Sequence, residues 1–161
     1  MKITNRVLSL VILAAVSLVY GGCKDDDDKK DSEEKQQLAK LSGSWTLQTA
    51  TADDTDRTGD FTNLVLTLGG TYVEGGTYNY SFTGTRNDPS PWPASGTWKF
   101  GTNKATEMIR DPGSSSEILM NYQVTETDLV ISFTVPDGSS WAGGSSRVRS
   151  VTGDWTFTFT K

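Results

Sequence analysis

The sequence contains no histidine and only one cysteine, Cys23. Histidine is the commonest general base and zinc ligand, and it is the usual partner of a serine or cysteine nucleophile. A single cysteine cannot form a disulfide within the chain. Among the remaining residues we identify no convergent nucleophile and base. We therefore expect a non-catalytic protein without metal or cofactor.

Positive charge is also scarce. Fifteen lysines and arginines face 20 aspartates and glutamates, which gives a net charge of −5. Lysine and arginine do not cluster anywhere along the chain, so we do not expect a nucleic-acid partner, because phosphate backbones are bound by basic patches. Helical periodicity is equally rare, and beyond the amino terminus it is confined to the stretch Glu33–Leu41.

The first residues follow the plan of a secretory signal. Lys2 and Arg6 precede residues 7–19, a 13-residue run that is apolar except for two serines. As a helix this run would rise about 20 Å, short of the roughly 30 Å hydrocarbon layer of a membrane. The pattern therefore predicts a signal peptide rather than a stable membrane span.

The next four residues, Tyr20-Gly21-Gly22-Cys23, resemble a lipobox, the site at which lipoprotein signal peptidase cuts before a cysteine. The resemblance implies that residues 1–22 are removed, that the Cys23 thiol carries a diacylglycerol, and that the protein's membrane partner is reached through this lipid anchor. The alternative is an ordinary secretory signal with an incidental cysteine.

The run Lys24-Asp25-Asp26-Asp27-Asp28 resembles the surface-export signal of Bacteroidota lipoproteins. It implies an outer-membrane lipoprotein exposed at the cell surface. Two alternatives remain: a periplasm-facing lipoprotein in which the run is only a solvated spacer, and an enterokinase tag, which the stretch resembles when it is extended through Lys29-Lys30. Because such a charged stretch cannot bury enough apolar area to order itself, we interpret residues 23–40 as an acidic tether.

Apolar and polar residues alternate with period two through residues 41–161, the pattern of half-buried strands. Glycine, aspartate and proline turns separate the runs. Consecutive strands with short links predict an all-β domain, an eight-stranded antiparallel up-and-down barrel, with a two-sheet β-sandwich as the alternative. The eight runs lie near residues 45–48, 64–68, 78–83, 98–100, 106–110, 118–124, 129–135 and 155–159.

Three Gly-x-Trp tripeptides occur in this domain, ending at Trp45, Trp98 and Trp155. The first stands at the start of the first strand and resembles the Gly-x-Trp signature of lipocalins. With the lipobox, it makes the chain similar to the lipocalin-like (calycin-like) lipoproteins of Bacteroidota. The resemblance implies that Trp45 closes one end of the barrel and that Arg147 or Arg149 packs over it. Plain core packing is the alternative role of all three tryptophans.

Aromatic side chains are the candidate binding residues. Those on strand faces would line a barrel that holds a small apolar or amphipathic ligand, or would simply fill it. Trp92, between two prolines, and Trp141 fall on loops, where they would bind a carbohydrate or a partner protein, or else cap the barrel. The candidates are Tyr78, Tyr80, Phe82, Trp92, Trp98, Tyr122, Phe133 and Trp141.

Four aspartates, Asp53, Asp54, Asp56 and Asp60, lie close together around a glycine. Asp54 and Asp56, followed by a glycine three residues later, resemble the acid spacing of a calcium-binding loop. However, the twelfth position of an EF-hand loop would fall on Val65 rather than on glutamate. We interpret the segment as a polar hairpin turn.

Overall fold

The computed structural model describes residues 31–137 and 151–161. The elements follow one another with short connections and are almost all strands. They are α1 (Glu33–Leu41), β1 (Gly43–Ala52), β2 (Thr55–Asp56), a single 3-10 turn (Thr58–Asp60), β3 (Phe61–Gly69), β4 (Tyr78–Arg86), β5 (Ser95–Phe100), β6 (Glu107–Arg110), β7 (Ile118–Val124), β8 (Asp128–Val135) and β9 (Gly153–Thr160).

The strands form a closed antiparallel barrel. From β3 to β9 each strand pairs with the next, while β1 pairs with β3 over its first residues and with β9 from Thr46↔Thr160 to Ala52↔Trp155. The two-residue strand β2 is only a hairpin on the end of β1. The predicted eight-stranded, lipocalin-like barrel is confirmed, and the sandwich alternative is not the fold.

Strand β1 contains a β-bulge just after its pairing with β3 ends. Its register with β9 shifts between Leu47 and Thr49, so that Gln48 is the extra residue. A bulge bends its strand and increases the local twist. The bulge lies just beyond Thr46, the residue that pairs with both β3 and β9, and the β1–β9 pairing closes the barrel.

The alternating pattern puts apolar side chains inside the barrel. On β9, Trp155, Phe157 and Phe159 are buried, while the threonines between them are partly exposed. Large aliphatic and aromatic side chains each contribute about 1.5–3 kcal/mol when buried. The described interior is therefore a packed core, and the barrel's stability comes from it.

The helix α1 corrects the predicted domain boundary. Glu34, Leu38 and Leu41 share one helical face, and all three are buried. The Ser32 hydroxyl caps the helix by accepting from the Lys35 N–H at 3.3 Å. The compact unit therefore begins at Asp31 rather than at residue 41, and residues 33–40 belong to the fold and not to the tether.

The two barrel ends differ in what covers them. At the end where β1 starts and β9 finishes lies α1, and we call this the helix end. At the opposite end, residues 87–94 connect β4 to β5. We call these residues the strap and this end the strap end. In the described part of the chain, none of the helices has the length and apolar character needed to cross a membrane.

Candidate functional site

Trp45 closes the helix end. Its side chain is fully buried, and its indole Nε1 donates to the Leu41 carbonyl at 2.8 Å. The ammonium of Lys161 lies 4.2 Å from the centre of its ring and also donates to the Lys40 carbonyl at 3.1 Å. In the described residues the cation over Trp45 is thus a lysine. Arg147 and Arg149, to which the lipocalin resemblance pointed, lie outside those residues.

Glu34 fastens α1 to the barrel. Its carboxylate accepts from the Gly75 N–H at 3.1 Å and from the Tyr78 hydroxyl at 3.5 Å. The Tyr78 hydroxyl also donates to the Val73 carbonyl at 2.9 Å. Burial raises the pKa of the Tyr78 phenol, and the Glu34 charge adds to that shift. The phenol therefore stays protonated, as a donor, at neutral pH.

Three of the predicted binding residues fill the half of the barrel next to α1. The rings of Tyr78 and Trp98 are 5.0 Å apart, and Phe100 lies 5.1 Å from Trp98. The Tyr122 hydroxyl donates to the Lys104 carbonyl, and its ring is buried. Tyr78, Trp98 and Tyr122 thus act as core residues here, with their polar atoms bonded within the chain.

The strap end repeats the tryptophan motif of the helix end. Trp155 donates its indole Nε1 to the Val151 carbonyl four residues earlier at 2.8 Å, just as Trp45 does to Leu41. The glycines two residues before the tryptophans, Gly43 and Gly153, have φ values of 125° and 113°, which glycine adopts readily. Two of the three Gly-x-Trp tripeptides are therefore matching end closures.

Trp92, on the strap, is inserted into the barrel. Its side chain is only 2% exposed. Edge-to-face contacts of the kind aromatic rings prefer surround the indole. The ring centres of Phe82, Phe133, Tyr80 and Phe157 lie 5.1, 5.4, 5.9 and 5.9 Å from that of Trp92. The strap therefore contributes the central ring of an aromatic cluster whose other members come from barrel strands.

Two arginines hold the strap by its backbone. Arg86, at the end of β4, donates to the Trp92 carbonyl, and Arg110, at the end of β6, donates to the Pro91 carbonyl at 3.0 Å. Arg110 has no exposed surface and also donates to the Ser116 carbonyl at 2.9 Å. Burial lowers the pKa of the Arg110 guanidinium. Arginine pKa values lie so high that it nevertheless stays charged.

Asp111 balances the charge of this buried arginine. Its Oδ2 lies 3.4 Å from the Arg110 Nε and accepts from the Tyr80 hydroxyl at 3.0 Å, while Oδ1 accepts from the Thr97 N–H at 3.0 Å. Burial and the Asp111 charge raise the pKa of the Tyr80 phenol. Gly96 makes room for this group, because a Cβ there would lie 2.6 Å from the Tyr80 hydroxyl oxygen. The third Gly-x-Trp tripeptide thus needs its glycine, because the Tyr80 and Asp111 side chains lie against the Gly96 backbone.

The four clustered aspartates form a polar turn, as the sequence indicated. Asp56 accepts from the Thr58 N–H at 2.8 Å, and Asp53 accepts from the Asp154 N–H at 2.8 Å. Asp60 pairs with Arg57 and accepts from the Asn87 side chain at 2.8 Å. Asp53 and Asp60 thus join separate segments at the strap end, while Asp56 stabilises its own turn.

The surface offers little support for stacking on a sugar ring. Every aromatic side chain in residues 31–137 and 151–161 is buried or half-buried. Trp92, which the sequence placed on a loop as a stacking candidate, has its ring inside the barrel. An open recess lies on the outside of β7, β8 and β9, but the rings lining it, Phe133 and Trp155, are themselves buried. Trp141, the other loop candidate, is outside the described residues.

The structure brings four predicted residues together at the strap end: Tyr80, Phe82, Trp92 and Phe133. Sequence reasoning missed Arg86, Arg110 and Asp111. The signal for Arg110 was present, because it alternates with buried Met108 on β6 and so faces inward. Cys23 and Lys24 to Asp28 lie outside the described residues.

No protein-family model, curated protein or solved structure matches the chain. The closed eight-stranded antiparallel barrel, with a lipocalin-like all-β fold, defines its structural class.

Proposed function

We propose that the protein is a non-catalytic, lipid-anchored binding module of the bacterial cell surface, which holds a small apolar or amphipathic ligand at the strap end of its barrel. One observation supports the binding site above all. The centre of the aromatic cluster is occupied by Trp92, which belongs to a loop and not to a barrel strand.

Movement of the part of the strap that carries Trp92 would vacate the space of an indole, while the Ala94 carbonyl could keep its bond of 2.8 Å from the Phe82 N–H beside the β4–β5 pairing. The vacated site would be lined by Phe82, Phe133 and Phe157, with Tyr80 at its edge. Ligand sites in proteins are typically apolar pockets with a few convergent polar groups. The strap end has that composition, and the helix end, closed by α1, lies on the opposite side of the barrel.

Dye binding tests this site. We use the chain from residue 23 onward with Cys23→Ala, so that no lipid is attached, and the neutral apolar dye N-phenyl-1-naphthylamine. We expect saturable 1:1 binding in the micromolar range, about −8 kcal/mol. Trp92→Ala should tighten binding, because the dye no longer displaces an indole.

The matched control is Leu119→Ala, which removes a side chain that is 55% exposed on the outer face of β7. This variant should bind the dye as the parent does. Near-ultraviolet circular dichroism of each variant checks that the barrel is folded, since loosened cores also bind apolar dyes. Absence of binding in the parent and in folded Trp92→Ala would contradict the proposed site.

The anchor is supported by the apolar run of residues 7–19 and by the lipobox at Cys23. Acyl chains contribute about 0.8 kcal/mol per buried methylene, so two or more chains anchor a protein stably. Cys23→Ala in the producing bacterium should move the protein from the membrane fraction to the soluble fraction. Unchanged fractionation, or a mature amino terminus without lipid mass, would contradict lipidation.

Surface display is supported by the acidic run after Cys23. Replacing Asp25 to Asp28 by alanine should leave the protein lipidated but protected from protease added to intact cells. Equal cleavage of both proteins would mean that the run is a spacer. Protection of both would indicate a periplasm-facing lipoprotein.

A further inference from the structure

The strap presents two different chemical groups to the barrel. Its Trp92 ring enters the aromatic cluster, while the backbone carbonyls of Pro91 and Trp92 accept from Arg110 and Arg86. An apolar ring joined to two hydrogen-bond acceptors is the pattern of an amphipathic ligand. The strap therefore fills the proposed binding site with the same groups that such a ligand would offer.

We infer that the ligand is an amphipathic molecule whose polar head is a hydrogen-bond acceptor, a carboxylate or a carbonyl, bound by Arg86 and Arg110 in place of the strap carbonyls. This inference rests on the proposed function and names the ligand class of the same site. The apolar part of the ligand takes the place of the Trp92 ring among Phe82, Phe133 and Phe157.

Guanidinium chemistry sets the choice of head group. Arginine has five N–H donors and accepts no hydrogen bond, so a head that offers only donors cannot satisfy it. A cationic head would also be repelled by Arg110, which is fully buried. Asp111 already pairs with the Arg110 charge, and the Ser116 carbonyl accepts from one of its N–H groups. The ligand head therefore need not carry a full negative charge, and a neutral acceptor suffices.

The indole of Trp92 is held mainly by ring contacts. Within the described part of the chain its Nε1 makes no hydrogen bond of regular geometry, whereas the corresponding atoms of Trp45 and Trp155 donate to carbonyls at 2.8 Å. A buried polar group without a good partner destabilises the arrangement that buries it. Of these three buried tryptophans, Trp92 is thus the one whose indole N–H is most weakly bonded, since it has only an interaction of poor geometry with the Tyr80 side chain.

The experiment compares three eight-carbon probes as competitors of the neutral dye: octanoate, octanamide and octylamine, which is a cation at pH 7. Because hydrogen bonds to charged groups are the strong ones, we expect octanoate and octanamide to compete at least about tenfold better than octylamine. The protein is again the chain from residue 23 with Cys23→Ala.

Variants assign the preference to the arginines. Arg86→Met keeps side-chain length but removes the donors, and it should reduce the preference to within about threefold. A folded Arg110→Met variant should show the same reduced preference. Because Arg86 is only partly buried, the Arg86→Met variant tests the head-group preference even where Arg110→Met does not fold. Arg57→Met is the matched control, because Arg57 lies at the same end, over Trp155. It should keep the full preference.

The outcomes separate the two proposals. If the dye binds and octylamine competes as well as octanoate, or if Arg86→Met keeps the full preference, the acceptor-head inference is overturned and the apolar site stands. If neither dye nor probe binds the folded protein, the proposed binding function fails, and the inference fails with it. A loss of preference in Arg86→Met together with retention in Arg57→Met supports the inference.

Discussion

The two ends of the barrel are closed by the same local motif but are covered in different ways. At each end a glycine with positive φ precedes a tryptophan that donates back to the carbonyl four residues earlier, from Trp45 to Leu41 and from Trp155 to Val151. A cation lies over each ring, Lys161 at 4.2 Å and Arg57 at 5.6 Å.

Beyond that motif the similarity ends. The helix end is covered by α1, a regular element with two buried leucines and a carboxylate bonded to the barrel. The strap end is covered by residues 87–94, which lie outside the strands and are held through backbone carbonyls by two arginines. Both covers combine apolar and polar contacts, but α1 is a regular helix, whereas the strap is a loop that puts one ring and two backbone carbonyls into the barrel end. This difference is the reason why we propose the strap end, rather than the helix end, as the binding site.

The largest expected effect is the loss of either end tryptophan. Trp45→Ala and Trp155→Ala should each lower the free energy of unfolding by about 3–5 kcal/mol, because both rings are buried and a large cavity remains. Denaturant melts at matched protein concentration measure this. Val73→Ala, at a side chain that is 59% exposed, should stay within about 0.5 kcal/mol of the parent. A near-parent melt for one of the two tryptophan variants would show that the ends are not closed alike.

A subtler substitution sharpens the comparison between the end tryptophans and Trp92. Trp45→Phe removes the hydrogen bond to Leu41, which we expect to destabilise the fold by about 1 kcal/mol more than the lost ring atoms alone. Trp92→Phe keeps an aromatic ring in the cluster and removes a poorly bonded N–H. It should therefore destabilise less than Trp45→Phe. An equal or larger loss for Trp92→Phe would mean that the strap is held as firmly as the end motif.

The attachment of α1 is expected to matter less. Glu34→Ala removes the acceptor of the Gly75 N–H, while the Tyr78 hydroxyl keeps its closer acceptor, the Val73 carbonyl, so we expect a loss of about 1–2 kcal/mol. Hydrogen exchange of the α1 amides should speed up more than that of the β7 and β8 amides. The control is Glu126→Ala, at an exposed acid between β7 and β8. Unchanged exchange in α1 would show that the leucines alone hold the helix.

Most of the barrel could be predicted from the sequence, because period-two alternation and turn residues are local signals. All eight predicted runs became barrel strands, including the weak run that forms β6. The two-residue strand β2 was missed, since it is too short to show a period. The predicted domain began too late, because the charged residues of α1 were interpreted as part of the tether. Yet Glu34, Leu38 and Leu41 recur at helical spacing and form one buried face of α1.

The candidate site could be predicted only in part. Tyr80, Phe82 and Phe133 alternate within strands, so their inward direction was local information. The burial of Trp92 depends on how residues 87–94 fold across the barrel end, and a proline-flanked tryptophan carries no such signal. Arg110 was missed for a different reason. Charge normally places an arginine outside, and here Asp111 and backbone carbonyls override that preference.

The smallest expected effect is a change in stability with pH, due to Asp56 in the hairpin turn at the strap end. Asp56 accepts from the Thr58 backbone N–H, and this bond together with one from the Thr58 side chain lowers the pKa of the Asp56 carboxyl. A group whose pKa is lower in the folded state stabilises the fold above its unfolded pKa, about 3.9 for aspartate. That contribution disappears as the pH falls through the folded pKa. Asp56→Asn, a neutral isostere, should thus melt below the parent at pH 7 and together with it near pH 2.

Asp54→Asn, which removes one charge from the same turn, is the control for the change in net charge. A gap between parent and Asp56→Asn that persists at pH 2 would show that the ionised carboxylate is not what holds Thr58, and that the strap-end turn does not depend on charge.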